Sequence, residues 1–206
     1  MAELALSRED LVRRGKKLEY FTIVWNSLEG LVAVFAGIFA GSISLVAFGV
    51  DSFIEVASGA ALLWRIYSDA DESHREEIER IALRIVAVCF FTLALYVGYE
   101  AATDLLRREP PKHSLFGIVV ACVSLIVMPV LSRAKRRLAS DMGSPAMDAD
   151  AKQTQFCVYL SVILLVGLLL NAVFGLWWAD PLGGLLMVPI IVREGVQAFR
   201  ERPCCP

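Results

Sequence analysis

Six long apolar stretches divide the chain: Tyr20–Ala40, Leu45–Trp64, Ile81–Ala102, Leu115–Leu131, Cys157–Trp178 and Pro181–Phe199. Most approach the roughly 20 residues that a helix needs to cross the hydrocarbon core of a bilayer. The fourth is short and the sixth carries Arg193 and Glu194, so each draws its support from the series. The pattern predicts an all-α, polytopic membrane protein of six transmembrane helices. The expected division is a cytoplasmic N-terminal segment over 1–19, a membrane domain over 20–199 and a short cytoplasmic tail over 200–206. The polar opening, SREDLVRRGKKLE, does not resemble a cleaved signal peptide, and the apolar run after it is long enough to span.

Composition agrees with the pattern. Of 206 residues, 57% are hydrophobic, and the mean hydropathy of +0.60 lies well above that of a soluble domain. The net charge of -2 says little, whereas the placement of the cations says more. Arg8, Arg13, Arg14, Lys16 and Lys17, then Arg65, Arg75 and Arg80, then Arg133, Lys135, Arg136 and Arg137, then Arg200 and Arg202 all fall on one side of a six-span topology. The other side holds only Arg107, Arg108 and Lys112. By the positive-inside rule both termini are cytoplasmic, in a multi-pass protein of the inner or plasma membrane. The run RAKRR at 133–137 reads as a topology anchor beside lipid headgroups, so the basic clusters call for no nucleic acid.

The connections leave no room for a soluble domain between spans. Ser68–Arg80 reads as a helical extension, Pro110–Pro111 ends a helix, and Gly143, Ser144 and Pro145 form a turn into span five. Cys89 and Cys122 lie in apolar spans, where a thiol acts as a small hydrophobe, and Cys204–Cys205 read as a solvated tail end. His74 and His113 read as loop residues, and Trp177 and Trp178 as an interfacial aromatic belt. Asp180 followed by Pro181 reads as an N-cap with proline at the first helical position. No Ser/His/Asp arrangement, HExxH or glycine-rich phosphate loop is visible, which argues against an enzyme.

The chemistry lies in acids placed inside apolar runs. Asp51 and Glu55 sit within GSISLVAFGVDSFIEVASGAALLW, four residues apart and so on one helical face. A carboxylate at membrane depth costs several kcal/mol unless it meets a cation, a proton or water. This pair is therefore expected to handle a cation. At the start of span five, Asp150, Gln153 or Thr154, and Cys157 follow three- and four-residue spacing and can share a face. Carboxylate and thiolate together suit a transition metal such as zinc. From these residues alone the plainer reading stands, with Asp150 and Lys152 marking a solvated helix start and Cys157 packing. Glu29, near Asn26 in the first span, extends a polar path or pairs with a neighbouring helix. Glu100 and Asp104 repeat the four-residue spacing near the outer end of span three, where a surface role fits.

These residues carry a resemblance. The stretch GSISLVAFGVDSFIEVASG resembles the second-helix motif of the cation diffusion facilitator family, in which a Gly-Ser turn precedes an Asp–x3–Asp metal-binding pair. SPAMDADAKQTQFCVYLS resembles the start of its fifth helix, where Ala-Asp precedes a His–x3–Asp pair, and WADPLGGLLMVPIIVREG resembles its sixth. The resemblance covers residues 10–200. It implies a four-ligand site of Asp51, Glu55, Gln153 and Cys157, with Glu55 in place of an aspartate, Gln153 in place of the histidine and Cys157 in place of the second aspartate. Asp150 is the next candidate ligand. It also implies homodimers, held by the membrane helices because the family's cytoplasmic metal-binding domain is expected to be absent.

The implied activity is secondary transport of a divalent metal cation, zinc first, exchanged for protons and moved out of the cytoplasm. The metal is cargo, and no resident cofactor is expected. The outward direction comes from the resemblance and not from the residues. A non-transporting membrane scaffold or regulator with the same fold is the alternative.

Overall fold

The computed structural model describes residues 8–67, 72–108 and 114–200. They form six helices: α1 (Arg8–Ala40), α2 (Ile43–Tyr67), α3 (Glu72–Arg107), α4 (Leu115–Met142), α5 (Pro145–Phe174) and α6 (Ala179–Arg200). Each contains a window long and apolar enough to cross a membrane. The fold class and span count are as expected. Cys204–Cys205, His113 and Pro110–Pro111 lie outside the described residues, and His74 falls within the helical span of α3 rather than in a loop.

The bundle is apolar outside, and within its largely apolar core runs a set of buried polar side chains. On α1, Val24, Leu28, Val32, Phe35 and Phe39 are exposed, while Glu19, Thr22, Asn26 and Glu29 are buried on the opposite face. Lipid imposes no penalty on exposed aliphatic side chains, so the polar stripe is what turns inward. The α1 helix packs on α2 and α4, α5 packs on α4, α2 and α6, and α3 packs on α6 and α2. Cys89 and Cys122 lie on the exposed apolar surface, whereas Cys157 is buried.

The α1–α2 pair is closely seated for identifiable reasons. Gly41, with φ +66°, turns the chain between α1 and α2, and Ser42 caps α2 by accepting the Leu45 amide at 3.2 Å. Down that pair, small residues let backbones touch. A Cβ at Gly49 would lie 2.8 Å from the Val34 backbone nitrogen, and one at Gly37 would lie 2.8 Å from that of Val46. At the far end of the molecule, Ser144 caps α5 and Pro145 opens it.

The structure corrects several expectations. The helix of span five starts at Pro145, after the expected turn, but Asp150 does not mark a solvated helix start: it is buried with Ala151 and Thr154, on a polar face that packs inward. The helix ends at Phe174, leaving Trp177 and Trp178 in the connection to α6. Asp180 lies inside the first turn of α6 rather than before it, and its carboxylate accepts a 2.6 Å bond from Ser42 Oγ. It therefore serves the start of α2, not its own helix. Lys135, expected in a headgroup anchor, is wholly buried, while Arg133, Arg136 and Arg137 are not. Lys135 shares its helical face with Ser124, Met128 and Ser132, all buried, and the three arginines point elsewhere.

The tight α1–α2 seam is expected to tolerate no bulk. Gly49→Leu should lower stability by about 1–3 kcal/mol, as overpacking does, read as a loss of thermal midpoint in detergent. Gly41→Asn, at an open left-handed turn with nothing within 4 Å of an added Cβ, should cost far less.

Candidate cation site

Polar groups from α1, α2, α4 and α5 meet along the bundle axis in a continuous column. At the end bearing the α4–α5 connection, Lys135 Nζ of α4 donates to Glu19 Oε2 of α1 at 3.3 Å and to Asp150 Oδ2 of α5. Glu19 also rests against α2, where a Cβ on Gly59 would come within 3.1 Å of its Oε2. One turn along α2 lies Glu55, whose Oε1 accepts a 2.6 Å bond from Thr154 Oγ1. The same hydroxyl also contacts the Asp150 carbonyl at 3.2 Å, which is the usual back-bond of a helical threonine. Farther along, Ser52 donates to Glu29 Oε2 at 3.1 Å, and Ser124 and Ser161 pair at 3.0 Å between α4 and α5. At the opposite end, Ser42 and Ser44 bond Asp180, each at 2.6 Å, one through its carboxylate and one through its carbonyl.

Asp51 and Glu55 are both buried and on one face of α2, as their spacing implies. Asp51 lies close enough to the Glu55, Glu194 and Glu29 carboxyls for their charges to act on it. Cys157 is buried beside Glu55, with Glu29 and Asp51 also near. The α5 thiol and the α2 acids therefore line the same column. Gln153 is only half-buried, and its amide nitrogen has no partner. The neighbouring Thr154 holds the position facing Glu55. Asp150 is engaged by Lys135, which ties it to a different neighbour than the Asp51–Glu55 pair. Glu100 and Asp104 lie half-buried near the end of α3, apart from the Asp51–Glu55 pair, with Asp104 near enough to Asp180 for its charge to act there.

Sequence reasoning misses Glu19, Lys135 and Glu194. Glu19 falls within the polar N-terminal segment, yet it continues a three- and four-residue stripe with Thr22, Asn26 and Glu29. That spacing is the available signal. Glu194 is buried on α6, in a stretch whose run length reads as apolar.

The electrostatics are lopsided. Among the described residues, seven acidic side chains are buried, namely Glu19, Glu29, Asp51, Glu55, Asp150, Asp180 and Glu194, against one basic side chain, Lys135. Several carboxyl oxygens in the column, including Glu55 Oε2, Glu29 Oε1 and Glu19 Oε1, have no hydrogen-bond partner. Such a surplus is stable only when cations, protons or water enter to balance it. Among the described residues no three Asp, Glu, His or Cys side chains converge on one point. The column thus offers a sequence of single oxygens and one sulfur rather than a closed cage.

These observations define a six-span membrane protein with buried acids along its core. Comparison with known proteins agrees. A family described as the cation efflux transmembrane domain matches residues 20–202, and the chain belongs to that cation diffusion facilitator family. It is 26% identical over 88% of its length to an uncharacterised transporter of Methanocaldococcus jannaschii, covering 66% of that protein. It is 30% identical over 83% of its length to the cation-efflux pump FieF of Cronobacter sakazakii, covering 60% of it. Transmembrane protein 163 of Xenopus laevis is 26% identical over 89% of the chain, with 66% of that protein covered. The chain therefore spans somewhat under two thirds of the length of these relatives.

Thr154 donates the short bond that Glu55 Oε1 accepts, so its removal has a defined cost. Thr154→Val should destabilise the protein by about 1–3 kcal/mol, the cost of leaving a buried acceptor unmet, and Thr154→Ser should restore most of it. Unfolding of the detergent-solubilised variants, followed by circular dichroism, measures both.

Proposed function

We propose that this chain carries a divalent metal cation across the membrane, binding it with Asp51 and Glu55 of α2 and Cys157 of α5. The observation that carries the reading is the Asp51–Glu55 pair itself: two carboxyls one turn apart, buried at membrane depth, with Glu55 Oε2 unpartnered. Membership of a cation efflux family supports it, as does the name of the relative FieF, a cation-efflux pump.

In this conformation Thr154 occupies one Glu55 oxygen and the thiol lies alongside. Loading requires Asp51, Glu55 and Cys157, which do not converge on one point here, to close on the ion, with Glu55 exchanging the threonine hydroxyl for it and Cys157 giving up its proton. Carboxylate oxygens with one thiolate favour zinc or cadmium over harder ions. The ligand set differs from the sequence-based one in a single respect: Gln153 contributes less than its neighbour Thr154, whose hydroxyl already reaches Glu55. Access must alternate between the two faces, because a column open at both ends would leak. Protonation of the carboxyls from the far side would cancel the charge that holds the metal, which makes proton exchange the natural release step. Efflux from the cytoplasm and assembly as a homodimer complete the proposal.

Three outcomes test it. Asp51→Asn or Glu55→Gln should abolish zinc uptake into vesicles holding only this protein while leaving membrane insertion intact; uptake at the unmutated rate in both would refute the assignment. Uptake into inside-out vesicles should need an acidic interior, and indifference to the pH gradient would leave a channel instead. Cys157→Ser should weaken uptake of zinc and cadmium more than of manganese, and equal losses for all three metals would remove the thiol from the site.

A further inference from the structure

The far end of the column holds a feature that the transport reading does not use. Lys135 Nζ lies between Glu19 and Asp150, carboxyls supplied by two different helices, both deeply buried. The ammonium engages one oxygen of each. Glu19 Oε1 and Asp150 Oδ1 are left buried without any hydrogen-bond partner. One ammonium balances only one of two ionised carboxylates, so the second calls for a proton or a further cation. Mere helix packing would be served as well by apolar side chains.

Two further observations link this cluster to the path of an ion. On α2, Gly59 provides the space that the Glu19 carboxylate fills, since a Cβ there would lie 3.1 Å from Glu19 Oε2. Gly59 is one turn from Glu55, so Glu19 is drawn in beside the acid pair. Thr154 then bridges the two levels, giving its hydroxyl to Glu55 and touching the Asp150 carbonyl. Glu55, and then Glu19 and Asp150 nearer the α4–α5 end, each keep a buried oxygen without a hydrogen-bond partner.

Carboxylate oxygens suit a divalent cation, which can bind several of them at once and cancel both charges. An ammonium is a compact point charge on a flexible stem and can swing aside. We infer that Glu19 and Asp150 form a second cation subsite, in which the Lys135 ammonium stands in for the travelling ion. An ion moving between Glu55 and the α4–α5 end displaces Lys135 and takes its place between the two carboxylates. This rests on the transport reading for its purpose, but its binding chemistry can be tested separately.

The test uses manganese(II), an oxygen-seeking ion, in equilibrium dialysis of the full chain in detergent. In an Asp51→Asn/Glu55→Gln background the α2 pair is disabled, so failure of that pair as a transport site leaves the result unaffected. In that background Lys135 still competes for both carboxylates, so manganese should bind there only weakly. Adding Lys135→Met removes the competitor and should tighten binding by about tenfold or more, to one manganese per chain, and adding Glu19→Gln as well should remove it. Should the methionine variant unfold without metal, the same titration is read as rescue: manganese restores its thermal transition, and Glu19→Gln abolishes the rescue. A Lys135→Met variant that folds and gains no manganese affinity, or that manganese fails to rescue, overturns the inference.

Discussion

The organisation of this protein depends on burying negative charge inside a bundle whose outside is hydrocarbon. Water is excluded from the lipid face, so a carboxylate has nowhere to go but inward, and once there it demands a positive partner. One such partner is built in, Lys135, and it engages Glu19 and Asp150 at one end of the column. The acids between the two ends, Asp51, Glu55 and Glu29, have no buried cation of their own among the described residues. The fold therefore creates a demand that an entering cation, proton or water has to meet.

The helices meet the constraint by division of labour. Small residues bring α1 and α2 into backbone contact, which sets the Glu29–Ser52 bond and places Glu19 against Gly59. The α5 helix brings Thr154 and Cys157 to the same level as Glu55. At the opposite end Asp180 joins α6 to the start of α2 through Ser42 and Ser44. Polar cross-links thus stand at both ends of the column, with the acid pair between them.

Much of this is legible in the sequence. Apolar run length alone predicts six spans, and the four-residue spacing of Asp51 and Glu55 puts both on the buried face where the structure has them. What escapes does so for physical reasons. Hydropathy averages over a window and cannot see which face a polar residue takes, so the polar start of α5 reads as a solvated approach. Lys135 is masked by the three arginines around it, although its spacing from Ser124, Met128 and Ser132 marks an inward face. Gln153 and Thr154 are adjacent on a helix and differ by a rotation that a motif comparison does not resolve. Packing against α2 decides for Thr154 as the partner of Glu55.

The central claim is that the bundle core takes a divalent cation between α2 and α5. Anomalous diffraction at the zinc edge, from crystals of the zinc-loaded protein, addresses it without reference to transport. The account predicts a single strong peak within bonding distance of the Asp51 and Glu55 carboxylates and of Cys157 Sγ. Zinc found only on the surface, with no anomalous density inside the bundle at saturating metal, would contradict it.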